Sequence, residues 1–336
     1  MKRGFDAKKY LQIQKEEILK RLQNFDRLYL EVGGHLCYDG HASRVLPGYD
    51  PKTKLRLLKS LPDSEIIYCV NSNDLLSKKR LGDFKANFKK QTLRDLKIFK
   101  RNKLNVTSVV ITRLKKENKE ISDFKKILLK KVKNVYFTLE EPNYTKSPKY
   151  ALKAYKNNPE IKVKSKLIII TGAAGGSGKM ATAMSGVYQD LKNKINSGYA
   201  KIETFPVWNL PLTHPINLAY EAATADLQDK NMIDPYYLKF KKKKSVNYNR
   251  DIENFSILKE IGKLITKKNF PFGYHSPTEM GIGRTKAGIT NDEICRRAAK
   301  KEIERREKVY SKEFKKGREN ERTLNRMKEI LKKIKK

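Results

Sequence analysis

Between the apolar run Leu167-Ile-Ile-Ile170 and a stretch of helical spacing from Met180 onward lies Thr171-Gly-Ala-Ala-Gly-Gly-Ser-Gly-Lys179. A strand that ends in a glycine turn and opens a helix gathers backbone N–H groups at the helix N-terminus, where the dipole favours an anion. Glycines let the backbone close around phosphate oxygens, and a lysine at the helix start adds a mobile positive charge. Gly175, Gly176, Ser177, Gly178 and Lys179 therefore form the candidate phosphate cradle. Thr182, one turn further on, is a candidate for holding magnesium. The chemistry expected of such a string is the binding of a nucleotide with Mg2+ or of another phosphorylated metabolite.

Three readings of the string stay open. The P-loop pattern G-x-x-x-x-G-K-[ST] needs glycine six residues before the lysine, where this chain has Ala173, and Ser or Thr after it, where Met180 stands. No later strand shows the apolar run ending in Asp that would supply a second magnesium group. The same residues fit the dinucleotide pattern as Gly176-x-Gly178-x-x-Ala181, with Glu203 placed to meet a ribose hydroxyl, although a lysine inside that pattern crowds the pyrophosphate. The third reading is a turn whose glycines serve only close helix–strand packing.

Other polar residues fall where open α/β sheets bind ligands, beyond the carboxyl ends of strands. Glu31 closes the first apolar run, and His41 and Arg44 follow on the next loop. His35, Cys37, Asp39 and His41 alternate, as on one face of a metal-binding strand, but Gly33, Gly34 and Gly40 favour an irregular loop, and no metal site is assigned. The rigid stretch Phe205-Pro-Val-Trp-Asn-Leu-Pro211 leads to His214 and Asn217, which share a helix start, and to Glu221 on the same face as Asn217. Asp226, Asp229 and Asp234 gather near that helix end, where carboxylates are disfavoured unless a cation is held there. Asn249 and Arg250 belong to a polar run whose Asp251 reads as a helix N-cap. The resulting expectation assigns His41, Arg44 and Asp226 to catalysis, with Asp226 an alternative to Thr182 for magnesium. Glu31, His214, Asn217, Asn249 and Arg250 are assigned to substrate binding.

The elements that must position these groups alternate along the chain. After an N-terminal amphipathic helix, apolar runs at residues 28–32, 65–70, 106–111, 135–137, 167–170 and 200–205 are separated by helical stretches. Continuous apolar runs of this kind mark a sheet covered on both faces. The expected fold is α/β, a doubly wound, mostly parallel sheet with a P-loop-like strand–glycine loop–helix unit. Residues 1–290 form the expected α/β domain, with Pro142, Pro148 and Pro159 suggesting a subdomain boundary near 142–165. A helix is expected over 84–100, a loop over 271–290, and two basic helices over 291–336 with a break near Gly317 and no packing partner evident for the lysine-rich end.

The net charge of +38 would suit a nucleic-acid binder, yet 57 of the 75 basic residues are lysine, and no arginine falls between Arg113 and Arg250. The lysines cover every expected helix instead of forming one stripe, so solvated lysine faces are the reading adopted and nucleic acid is not an expected partner. No apolar run is long enough to span a membrane, and the start lacks the apolar core of a signal peptide. Three scattered cysteines suit a reducing compartment, so the expected location is the cytoplasm.

Long specific strings complete the picture: His41-Ala-Ser-Arg-Val-Leu-Pro-Gly48, Gly176-Ser-Gly-Lys-Met-Ala-Thr182, Phe205-Pro-Val-Trp-Asn-Leu-Pro211, the run from His214 to Leu227, and Val246-Asn-Tyr-Asn-Arg-Asp251. With these the chain resembles the bacterial family filed as domain of unknown function 1846. The resemblance implies a cytoplasmic α/β protein of unassigned activity, and it adds no reaction. It also implies a further C-terminal α/β domain after the basic helices, beyond the 336 residues of this sequence, which is therefore expected to be missing here. The expected partners are a small phosphorylated ligand and either a second copy of the chain or that missing domain. Gly172-Ala-Ala-Gly175 departs from the family's Pro-containing loop, and His35 and Cys37 do not match its pattern.

Overall fold

The computed structural model describes residues 3–77, 86–144, 146–267 and 271–335. Phe84, Lys85 and Lys336, which fall in expected helices, lie outside the described residues.

The chain begins with α1 (Ala7–Leu22), capped by the Asp6 carboxylate, and β1 (Arg27–Val32). Helices α2 (Gly40–Val45) and α3 (Thr53–Ser60) precede β2 (Ser64–Asn71), which runs into α4 (Ser72–Leu76). Next come α5 (Phe88–Arg101), β3 (Val106–Leu114), α6 (Lys119–Leu129), β4 (Asn134–Leu139) and α7 (Pro148–Asn157). β5 (Leu167–Gly172), α8 (Lys179–Lys192) and β6 (Ser197–Ile202) form the central unit. Beyond them lie α9 (Pro215–Ala223), a 3-10 turn (Ala225–Leu227), β7 (Asn231–Ile233), α10 (Pro235–Lys241), β8 (Val246–Tyr248) and α11 (Asn249–Thr266). Short α12 (Pro277–Met280), β9 (Gly281–Ile282) and α13 (Thr285–Gly288) lead to α14 (Asp292–Lys315) and α15 (Glu321–Lys335).

Seven strands make one sheet in the order β4-β3-β2-β5-β1-β6-β9, and every pairing in it is parallel. The two-residue period of a strand divides the sheet's side chains between two cores. Leu28, Leu30, Ile66, Tyr68, Val109, Ile111, Leu167 and Ile169 pack with α1, α3, α5 and α6. Tyr29, Ile67, Cys69, Val110, Ile168, Ile170 and Tyr199 pack with α7, α8 and α11. Burial on both faces explains why these strands read as unbroken apolar runs. β7 and β8 form a separate antiparallel pair.

Three local expectations are corrected. The proline-bearing segment near 142–165, for which no helix was expected, contains α7, because Ala151 and Tyr155 supply a small but fully buried face and Ser147 caps it. The loop expected over 271–290 contributes β9, which extends the sheet beside β6. It is too short to leave a periodic signal. The basic end does have a partner: Met327 and Ile330 of α15 join Tyr310 and Ile303 of α14 and Ile216 and Ala219 of α9 in a third core. The break between α14 and α15 carries Gly317 at φ 64°, as its glycine suggested.

Candidate functional site

The parallel strands all deliver their carboxyl ends to one edge of the sheet, and the glycine string lies there between β5 and α8. Gly178, at φ 82°, is the N-cap of α8, and Gly176 has φ 76°. A Cβ at Gly178 would sit 2.8 Å from the Thr112 hydroxyl, and one at Gly172 would collide with the Ser177 hydroxyl. Packing thus accounts for glycine at 172 and 178. It does not account for the tip, because nothing lies within 4 Å of a Cβ at Gly176, and only the Leu227 side chain, at 3.5 Å, approaches one at Gly175.

The turn is held from neighbouring strands. Thr112 donates its hydroxyl to the Ser177 carbonyl at 2.9 Å, and Ala173 N–H donates to the Cys69 carbonyl at 3.3 Å. The Ser177 hydroxyl is buried with no hydrogen-bond partner. Lys179 is 9% exposed; its ammonium donates to the Ala174 carbonyl at 3.3 Å and lies 3.8 Å from Glu31 Oε1. The Thr182 hydroxyl is buried against β2, where it accepts from the Cys69 thiol at 3.5 Å.

Glu31 connects this turn to a buried charged cluster that the sequence reading did not assemble. Glu31 on β1 stands in register with Lys201 on β6, and its Oε2 accepts from Tyr199 at 2.8 Å. Tyr199 and Lys201 lie two apart on β6 and share one face of the sheet, and Glu203, just past the end of β6, meets Lys201 there. The Lys201 ammonium touches Glu203 and Asp251, each at 2.8 Å, and donates to the Tyr248 hydroxyl. Asp251 is therefore not the expected cap. α11 begins at Asn249, and the Asp251 carboxylate, in its first turn, is spent on Lys201 and Tyr248.

Three carboxylates around Lys201 leave an excess of negative charge. Burial, only partly offset by Lys201 and reinforced by Asp251, pushes the Glu203 carboxyl up to about 7. Lys201 is held well above its usual value because these carboxylates outweigh its burial. The signal that could have found the cluster is a lysine and a glutamate two apart at the end of an otherwise apolar strand.

The remaining expected residues have definite partners. His41 and Arg44 meet Glu302 of α14, at 3.3 and 2.8 Å, together with Arg305 and Arg306. His214 caps α9, accepting from Ile216 N–H at 3.2 Å, and faces Asp292 at 3.1 Å. Asn217 is fully buried and ties Val207 N–H, the Val207 carbonyl and the Pro211 carbonyl together. Asn249 accepts from Lys230 N–H, and Arg250 grips Asp229 with two bonds of 2.5 and 2.8 Å. That guanidinium is the cation the acidic group near the α9 end calls for. Asp226 accepts from Tyr310 at 3.2 Å, while the adjacent Leu227 approaches Gly175. Asp39 caps α2 and pairs with Lys54, so the alternating His35, Cys37, Asp39 and His41 do not converge. No group of three metal-ligating side chains occurs among the described residues. Among those residues, too, no helix is long and apolar enough to cross a membrane.

A family model described as "Domain of unknown function DUF1846, N-terminal" matches residues 3–335. A UPF0371 protein of Clostridium tetani (strain Massachusetts / E88) is 42% identical over 334 residues, covering 98% of this chain and 66% of the relative. A UPF0371 protein of Clostridium botulinum (strain Kyoto / Type A2) is 42% identical over the same shares, and one from strain Alaska E43 / Type E3 is 40% identical over 337 residues. The chain spans 66% of the length of these relatives.

Proposed function

This chain belongs to the DUF1846 family, and on that footing we propose that it binds a small phosphorylated ligand, a nucleotide or a phosphorylated metabolite, at Gly175, Gly176, Ser177, Gly178 and Lys179. The observation that carries the reading is the open tip at Gly175 and Gly176 beside the buried Lys179 ammonium. Packing explains Gly172 and Gly178 and the left-handed backbone explains Gly176, so the support for a ligand is the open approach past the tip to Lys179. Lys179 is 3.8 Å from Glu31, longer than a close hydrogen-bonded pair, so a phosphate entering the turn competes with a modest partner. The N-terminus of the 14-residue α8 adds backbone donors at the same turn.

His41 and Arg44 are closed on Glu302, His214 on Asp292 and Asn217 on the Val207 and Pro211 backbone, so this reading gives them a supporting role in the fold and no contact with the ligand. Of the remaining expected residues only Glu31 faces the loop, through Lys179, while Asn249 is bonded to Lys230 N–H and Arg250 to Asp229. Thr182 turns to Cys69 and Asp226 to Tyr310, so neither is set to hold a magnesium ion, and a nucleotide's own phosphates would have to carry one. The acid–base groups beside the loop favour an enzyme of phosphoryl-transfer or hydrolytic type over a passive binder. The three free cysteines, all buried, suit the cytoplasm as its location.

The test is a thermal-shift screen of ATP, GTP, NAD and sugar phosphates on the wild type and on Lys179→Ala. At least one ligand should raise the wild-type midpoint by several degrees, and the variant should lose that rise. No rise with any phosphorylated ligand leaves a packing turn as the account of the glycines.

A further inference from the structure

The cluster around Lys201 sits one ladder step from the residue that faces Lys179. We infer that Lys201, Glu203 and Asp251 form an acid–base site of the same crevice, in which Glu203 takes up one proton when a dianionic phosphate or sulfate group occupies the glycine loop. The inference rests on the phosphate-binding reading above and adds to it a second group that answers to the ligand's charge.

The geometry supplies the connection. Lys179 faces Glu31, Glu31 pairs in register with Lys201, and Lys201 touches Glu203 and Asp251. Within the fold two ammonium groups, Lys179 and Lys201, therefore serve three carboxylates. A dianion at the loop engages Lys179 and leaves the Glu31 charge less compensated. That charge, together with the ligand's own, then bears on Glu203 through an interior where screening is weak. The group able to answer is Glu203, whose proton affinity burial already places near neutrality. The other charged pair beside the cluster, Arg250 with Asp229 from the α9 end, is closed on itself by two hydrogen bonds. Tyr199, Tyr220 and Tyr248 are held well above the ordinary phenol value by burial and stay neutral. The proton comes from solvent onto a Glu203 carboxylate oxygen, and no other bond changes. Glu203 retains 14% side-chain exposure, enough for exchange with water.

Inorganic sulfate is the probe, because it stays a dianion across the range and brings no proton of its own. Calorimetric titration of the whole chain in two buffers of different ionisation enthalpy counts the protons taken up. The wild type should take up a fraction of a proton at pH 7.5, and its sulfate affinity should fall severalfold between pH 6.5 and 8.5. Glu203→Gln should bind sulfate with no uptake and a flat pH profile. Wild-type binding without uptake, or uptake that persists in Glu203→Gln, overturns this inference alone. Failure of the wild type to bind sulfate or any phosphorylated ligand overturns the loop reading and this inference with it. Should Glu203→Gln not fold, carbon-detected NMR of wild-type glutamate carboxyls decides. One carboxyl should titrate near pH 7 and move upward with sulfate, and the absence of such a carboxyl refutes the site.

Discussion

The Lys179 ammonium and the Glu31 carboxylate lie 3.8 Å apart, one at the start of α8 and the other near the end of the strand beside β5. In the proposed reading Glu31 is the counter-ion that a loop-bound anion would displace. Glu31→Gln keeps an oxygen to accept from Tyr199 but removes the competing charge. Sulfate or phosphate affinity should rise severalfold, as measured by calorimetry. Unchanged or weaker binding would detach Glu31 from the loop.

Gly176 and Gly178 separate ligand approach from packing. Both have positive φ, so alanine at either costs about 1 kcal/mol for the left-handed conformation. At Gly178 the new methyl also meets Thr112, and the total should reach about 2–3 kcal/mol. Gly176→Ala should remain near 1 kcal/mol by urea unfolding, yet weaken phosphate-ligand binding. Equal losses of stability would refute the distinction.

Glu302 should fasten α14 to α2. Burial would raise its carboxyl, but hydrogen bonds from Arg305, His41 and Arg44 hold it well below the usual carboxylate range. A depressed carboxyl stabilises the fold above its unfolded value, 4.5, and that stability is lost as pH falls through the folded value. His41 is lowered from 6.5 by burial against the pull of Glu302, so the unfolded chain protonates first and stability also declines below pH 6.5. Glu302→Gln should cost about 2–3 kcal/mol at pH 7, reduced from the value for a fully buried pair because Arg44 and Arg305 are part exposed. His41→Gln should flatten the fall in melting temperature between pH 6.5 and 5. A wild-type midpoint independent of pH over that interval would contradict the assignment.

Asn217 substitutes for backbone partners in a segment with no regular structure. Asn217→Ala leaves Val207 N–H and two carbonyls unpaired in the interior, a loss of about 3 kcal/mol in chemical denaturation. A loss below about 1 kcal/mol would mean that water or the loop itself replaces those bonds.

The sheet was legible because strands buried on both faces must be apolar throughout, and Leu167-Ile-Ile-Ile170 shows it plainly. The glycine turn was legible because its residue types are rare together. The Lys201 cluster was not, since its members come from β1, β6, β8 and α11 and meet only when the chain folds. Asp251 shows the same limit. Its position at a helix start suggests a cap, and only the nearby ammonium reveals another use. His41 and Arg44 follow the first strand as ligand-binding residues would, but their partner Glu302 lies more than 250 residues away.

The central claim is that Lys179 and the open turn before it hold a phosphate group. Calorimetric titration of the wild type and Lys179→Met with ATP and magnesium, GTP and a sugar phosphate tests it most directly. At least one of these should bind the wild type saturably and bind the variant, checked as folded by circular dichroism, at least tenfold more weakly. Equal affinity in the two proteins, or no binding to the wild type, would contradict the account.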